Sequence, residues 1–144
     1  MLLEIVRYRS KFGHVPFNAY VEKYAPSSSD KNKTSEKKVK TLLKIKAVIK
    51  IVADKGGIGV GDYTSALKGY DVQEITIKKS GRAIRLLYFC RFGKLVLLNG
   101  FDKGVPYEGG KGKKTEKMIE EKYREGQQYY QDFIKNPGNY EEFD

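Results

Sequence analysis

Val72-Gln73-Glu74-Ile75-Thr76-Ile77-Lys78-Lys79-Ser80-Gly81-Arg82-Ala83-Ile84-Arg85-Leu86-Leu87-Tyr88-Phe89-Cys90-Arg91 is the stretch that decides the fold. Val72 to Lys79 reads as a strand, Ser80-Gly81 as a turn and Arg82 to Arg91 as a second strand. Branched and aromatic residues crowd both arms, and a small polar pair separates them. Phe92-Gly93-Lys94 then turns the chain into a third strand, Leu95 to Phe101. There Val96, Leu97 and Leu98 run together without alternation, the pattern of a central strand covered on both faces. The expectation is a three-stranded antiparallel meander.

Upstream, Leu2 to Tyr8 reads as a strand. Pro16 to Tyr24 suits a short helix, with Pro16 in its first turn and Pro26 stopping it. Phe17, Tyr20, Val21 and Tyr24 fall on one face of that helix. The polar Ser27–Lys33 stretch is a loop. A long helix follows, roughly Ser35 to Lys55, with Thr34 as N-cap and Gly56-Gly57 as its end. Its buried stripe is Val39, Leu42, Ile45, Ile49 and Val52, with Lys37, Lys40 and Lys44 on another face. Ile58 to Lys68 reads as irregular.

Downstream, Asp102 to Lys113 is rich in Gly and Lys and reads as a mobile loop. Thr115 can cap a last helix to about Ile134, with Met118, Ile119, Lys122, Tyr123, Tyr130 and Ile134 near one face. Gly126 weakens it midway. Asn136-Pro137-Gly138 breaks the chain before an acidic tail of Glu141, Glu142 and Asp144. The order β-α-α-β-β-β-α defines an α+β fold with one antiparallel-rich sheet and helices packed against it. Residues 1–135 form a single domain and 136–144 the tail.

A chain of 144 residues suits one domain. With 28 Lys and Arg against 18 Asp and Glu, the net charge is +10. Such charge points to polyanions, nucleic acid or the ribosome first, because neutralising phosphates releases counterions. The single cysteine, Cys90, excludes an internal disulfide and fits a reducing cytoplasm. No apolar run approaches a membrane span, and Met1 to Val6 lacks the apolar core of a signal peptide. Asn32-Lys33-Thr34 matches a glycosylation acceptor only by coincidence if the chain is not exported.

Motifs for other chemistries fail on spacing. Gly57-Ile58-Gly59-Val60-Gly61 follows a helix and lacks the third glycine of a dinucleotide loop. Gly109 to Thr115 resembles a phosphate loop, but Lys114 stands where Ser or Thr is needed and Tyr107 where Gly is needed. Its lysines and amides suit RNA phosphate instead. His14 is the only histidine, so metal sites and histidine-based ribonuclease sites lack their groups. Cys90 reads as a buried thiol.

Basic residues carry more information. Arg82, Arg85 and Arg91 lie on or beside one strand, Lys78 and Lys79 on its hairpin partner, Lys68 just before it and Lys103 just past the third strand. Arg82 and Arg85 point to opposite faces of an ideal strand unless a bulge intervenes. Tyr88 and Phe92 offer rings on which bases could stack, and equally Tyr88 could belong to the core.

Leu67-Lys68-Gly69 … Glu74-Ile75-Thr76-Ile77 … Arg82-Ala83-Ile84-Arg85-Leu86-Leu87-Tyr88-Phe89 … Leu97-Leu98-Asn99-Gly100-Phe101-Asp102-Lys103 resembles the RelE/HigB-type toxins of toxin–antitoxin modules. The phage-derived HigB-like branch, within the wider RelE/ParE superfamily, is nearest in pattern. The resemblance implies a RelE-like single domain, with two N-terminal helices and a C-terminal helix. It implies a ribosome-dependent mRNA endoribonuclease that acts on mRNA in the ribosomal A site and is neutralised by a cognate antitoxin, without a metal or small-molecule cofactor. On that reading Arg82 and Arg85 stabilise the scissile phosphate and Lys103 is a phosphate ligand or proton-transfer group. Lys68, Lys78, Lys79, Tyr88, Asn99, Lys111, Lys113 and Lys114 are the RNA-binding candidates. The sequence departs from the family pattern at Thr76, where an Arg is usual, at Asn99, where a His is usual, and at Gly104, where a second Lys is usual. Two alternatives stay open: a ParE-like, gyrase-directed toxin without nuclease chemistry, and a degenerate phage-derived protein that only binds RNA or a partner.

Overall fold

The computed structural model describes residues 3–79, 82–104 and 113–143, with the side chains of Lys79, Arg82, Lys113 and Lys114 outside the description. One sheet organises the chain. Strands β1 (Glu4–Tyr8), β2 (Thr64–Ala66), β3 (Gln73–Lys79), β4 (Arg82–Arg91), β5 (Lys94–Gly104) and β6 (Tyr140–Glu142) lie in the order β2-β3-β4-β5-β1-β6. All neighbours are antiparallel except β1, which runs parallel to β5.

The helices are α1 (Pro16–Val21), continued by a 3-10 turn at Glu22–Tyr24, α2 (Asn32–Asp54) and α3 (Lys113–Lys135). Helices α1 and α2 cover one face, packing Phe17, Tyr20, Ile45, Ile49 and Val52 against Ile75, Ile77, Ile84, Leu86 and Leu97. Helix α3 covers the other, where Phe133 is fully buried among Val6, Leu87, Phe89, Val96 and Leu98. Leu95 to Leu98 are therefore buried on both sides, as the unbroken apolar run requires.

Local signals explain most elements. Phe92 and Gly93 both have positive φ, 57° and 73°, which matches the twist of the β4–β5 hairpin. Helix α2 ends as the paired glycines demand: the Gly57 N–H reaches Val52 O at 2.8 Å and the Gly56 N–H reaches Ala53 O at 3.2 Å.

Several sequence expectations are corrected. Helices α2 and α3 begin at Asn32 and Lys113, so Thr34 and Thr115 lie inside them rather than capping them. Val39 is 40% exposed and leaves the buried stripe, while Thr41, Val48 and Ala53 join it. The stretch read as irregular contains β2, and the acidic tail supplies β6, whose neighbour Phe143 meets the Phe17 ring edge-on. Both strands are three residues long and draw their order from their neighbours. Strand β5 continues to Gly104, so Asp102 and Lys103 are strand residues, and the remainder of the expected loop, 105–112, lies outside the described residues.

The β4–β5 ladder contains one irregularity. Leu86 pairs with Gly100 but Tyr88 pairs with Leu97, so Leu98 and Asn99 together face Leu87. This bulge puts Leu98 and Asn99 both on the α3 side: Leu98 packs in the α3 cluster and Asn99 bonds to α3. Alternation then restarts, sending Gly100 and Asp102 toward α1 and Phe101 and Lys103 toward the α3 side. A Cβ at Gly100 would lie 2.8 Å from Tyr20 Cδ2, so only glycine admits α1 this close.

Candidate functional site

The bulge determines which cations share a face. Phe101 belongs to the α3-side cluster, and its ladder partners are Arg85 and, beyond that, Thr76. Two residues further, Lys103 pairs with Ala83, which pairs with Lys78. Cross-strand partners share a face, so Lys78, Arg85 and Lys103 stand together on the α3 side. Without the extra residue, Lys103 would lie on the α1 side with the parity of Asp102. At about 4.8 Å per strand, Lys78 and Lys103 are roughly 10 Å apart at their backbones.

Among the described residues this end of the sheet is the more exposed one, whereas Leu87, Phe89, Val96 and Leu98 beneath α3 are buried. Lys78 is exposed, and Thr76, Ala83 and Lys103 are partly exposed. The result is a cationic shelf beside a dry helix–sheet contact.

Arg85 is anchored at the edge of that shelf. Its Nη1 donates to Glu74 Oε1 at 2.7 Å, and Glu74 is 2% exposed. The Tyr123 hydroxyl from α3 donates to the other carboxylate oxygen at 3.1 Å. Burial and then the Glu74 charge push the Tyr123 phenol up to about 12, so it keeps its proton at neutral pH. Arg85 thus neutralises a buried carboxylate and retains a partly exposed outer edge. Residues 74 and 123 were not singled out from sequence. The hairpin register signals Glu74, since a turn at 80–81 sets Thr76 opposite Arg85 and Glu74 on its diagonal. Nothing in the sequence aligns Tyr123 with them.

The remaining candidates divide. Lys68 is exposed in the turn before β3. Lys79 and Arg82 pair in the ladder at the start of the hairpin, and the ladder runs unbroken from Arg82 to Leu86. Lys113 and Lys114 open α3, and Lys111 lies outside the described residues. Tyr88 is fully buried on the α2 side and donates to Gly57 O at 2.6 Å, so its ring packs the core and offers no face to a base. Asn99 is 3% exposed, and its Nδ2 donates to Lys122 O at 3.3 Å and to Glu125 Oε1 at 2.9 Å. It ties the bulge to α3.

A second concavity, a cleft of about 400 Å³, lies between α1, β5 and α3. Tyr20, Lys23, Asp102, Lys122 and Glu125 line it, together with the exposed ring of His14. Burial works against the Asp102 charge, but hydrogen bonds from Tyr20, Tyr24 and Lys23 outweigh it and hold the carboxyl below its ordinary range. That carboxylate clamps α1 to β5. Among the described residues, no three His, Cys, Asp or Glu side chains gather as metal ligands would. No helix among them is long and apolar enough to cross a membrane.

The mostly antiparallel sheet, with two N-terminal helices on one face and a C-terminal helix on the other, defines a RelE-like single-domain α+β protein. The family model described as "Phage derived protein Gp49-like (DUF891)" matches residues 33–124, more than half of the chain. The chain belongs to that family, which is toxin-like. The matched span runs from α2 to Arg124 in α3 and contains the whole shelf. Comparisons with curated proteins and with solved structures each gave no match.

Proposed function

We propose that this protein is the toxin of a toxin–antitoxin pair, of the HigB-like kind, and that it cuts mRNA in the ribosomal A site. The observation that carries this reading is the bulge at Leu98-Asn99, which turns Lys103 onto the open face of Lys78 and Arg85. That shelf suits a phosphodiester backbone more than a compact small molecule.

The chemistry follows from those groups. The RNA 2′-hydroxyl attacks the adjacent phosphorus, a 2′,3′-cyclic phosphate forms and the 5′-oxygen leaves with a proton. Lys103 holds the phosphate and offsets the charge that builds on its oxygens, Arg85 contributes its outer edge, and Arg82 adds its charge from the hairpin end of the sheet rather than from the shelf. Lys78, Lys68, Lys79, Lys111, Lys113 and Lys114 draw the flanking phosphates. Tyr123, which keeps its proton, supports the site through Glu74 and Arg85 rather than acting as a base. The ribosome supplies most of the rate by aligning the attacking hydroxyl.

Thr76 gives the second reading its support. It sits directly opposite Arg85, where the related toxins carry an arginine, so the shelf has one cation fewer. A protein that binds RNA without cutting it is the consequence if the remaining charges are insufficient.

Primer extension on mRNA after induction tests both, with Lys78→Ala/Lys103→Ala and Arg82→Ala as controls. Cuts inside translated frames, absent in the controls and when translation is blocked, are the expected result. RNA binding without cuts would establish the second reading. Growth arrest with neither would overturn both and direct attention to a protein target such as gyrase.

A further inference from the structure

Helix α2 has two faces that both carry apolar side chains. The inner one packs Ile45, Val48, Ile49 and Val52 against the sheet. The outer one presents Val39, Leu43, Ala47 and Ile51 at intervals of four residues, and all four are exposed. Leu43 is 61% exposed, Val39 40% and Ile51 37%. A spacing of four on a helix makes one continuous, slowly winding stripe. Single exposed apolar residues need no explanation, but an aligned row of them on one long helix marks a contact surface.

The flanks say what fits. Lys40 and Lys44 border the stripe on one side and Lys46 and Lys50 on the other, all exposed. Lys44 also donates to Lys78 O at 3.3 Å, which fixes that border against the end of β3. A second copy of α2 laid on this stripe would set lysine against lysine. A partner helix with acidic residues beside an apolar row would match both the stripe and its borders.

We infer that the outer face of α2 is a docking site for an amphipathic, acidic helix of the antitoxin, separate from the cationic shelf. This rests on the toxin reading above. It assigns neutralisation to a contact on the α1/α2 side of the sheet, whereas RNA meets the α3 side. The partner is then held by burial of Leu43 and its neighbours, and the lysine borders set its orientation and speed its arrival.

Three proteins test this: the wild type, Leu43→Glu, and a Lys40→Glu/Lys46→Glu charge variant. All changes lie at exposed positions, and circular dichroism confirms that each variant is folded. Two readouts apply. One is anisotropy of a labelled amphipathic Leu/Glu helical peptide, with a Leu/Lys peptide of the same spacing as control. The other is rescue of growth by the protein encoded beside the toxin gene. The inference expects Leu43→Glu to weaken the Leu/Glu peptide by roughly tenfold or more, about 1.4 kcal/mol. It also expects this variant to cut mRNA as the wild type does while escaping rescue. The charge variant should lose the Leu/Glu peptide and gain the Leu/Lys one. Unchanged peptide binding and intact rescue in Leu43→Glu would overturn the docking site and leave the nuclease reading standing. A wild-type dimer that Leu43→Glu converts to monomer would overturn it in favour of a second copy. Absence of mRNA cutting by the wild type would count against the nuclease reading alone, because the peptide measurement still decides the surface.

Discussion

Arg85 holds Glu74 by a 2.7 Å ion pair on the α3 side of the sheet, and the carboxylate is almost wholly buried. The pair lies where the shelf meets the helix–sheet contact, so one residue serves packing and electrostatics together. Arg85→Ala leaves a buried carboxylate without its cation and should cost about 3–5 kcal/mol in urea unfolding. Glu74→Ala combined with Arg85→Ala should recover most of that loss. If Arg85→Ala unfolds at the wild-type urea midpoint, the pair has no such role. Loss of cleavage in Arg85→Ala alone would not separate catalysis from folding, and the double variant supplies the comparison.

The shelf lysines make a different prediction. Lys78→Ala and Lys103→Ala remove phosphate contacts without touching the core. Each should weaken RNA binding across all sequences and lower the slope of log affinity against log salt by about one. A salt series on single-stranded RNA checks this, and an unchanged slope for Lys103→Ala would place it off the RNA path.

Gly126 is a weak helix former in the middle of α3, and the packing gives it a reason. A Cβ there would lie 2.8 Å from Leu87 Cδ1 and 3.0 Å from Asn99 Oδ1. Alanine is the better helix former by about 1 kcal/mol, yet overpacking costs about 1–3 kcal/mol. Gly126→Ala should therefore lower the melting temperature. A higher melting temperature would show that α3 can stand off from the bulge.

High pH should loosen the fold through its tyrosines. Burial first, then Glu74, raises Tyr123 from 10.0 to about 12, and burial first also raises Tyr8, Tyr20 and Tyr88. The folded state holds these protons more tightly than the unfolded chain does. Their contribution is therefore complete below pH 10 and is lost as pH rises through the folded values. Phenolate absorbance should rise in step with unfolding above pH 10, with Tyr123→Phe removing part of the pH dependence. Titration of all tyrosines near pH 10 in a folded chain would contradict this.

Cys90 should be a slow thiol. Burial pushes it up to about 11 from 9.0, which makes thiolate about a hundredfold scarcer at pH 8 than for a free cysteine. A disulfide reagent should modify it slowly in the folded protein and rapidly in urea. Equal rates would contradict its burial.

The meander was legible because its signals are local: Ile75 and Ile77 alternate with polar neighbours, and Ser80-Gly81 and Phe92-Gly93 mark the turns. The extra residue at Leu98-Asn99 was not, since Leu98 and Asn99 carry no cue that both oppose Leu87. That single miss decides the facing of Lys103. Strands β2 and β6 were missed for a related reason: Thr64–Ala66 and Tyr140–Glu142 are ordered by β3 and β1, not by their own pattern. Tyr88 could be read either as a stacking platform or as core, and only the approach of Gly57 from the end of α2 separates the two.

The parallel strand β1 has a consequence for how the chain is made. Its register joins Glu4–Arg7 to Lys94–Leu97, and its other edge joins Val6–Tyr8 to residues 140–142. Strand β1 is thus made well before either partner, and its second edge is satisfied only once residues 140–142 follow, a high-contact-order closure. The nascent chain can fold its helices and its meander early, but the sheet is completed only when β1 meets both β5 and β6.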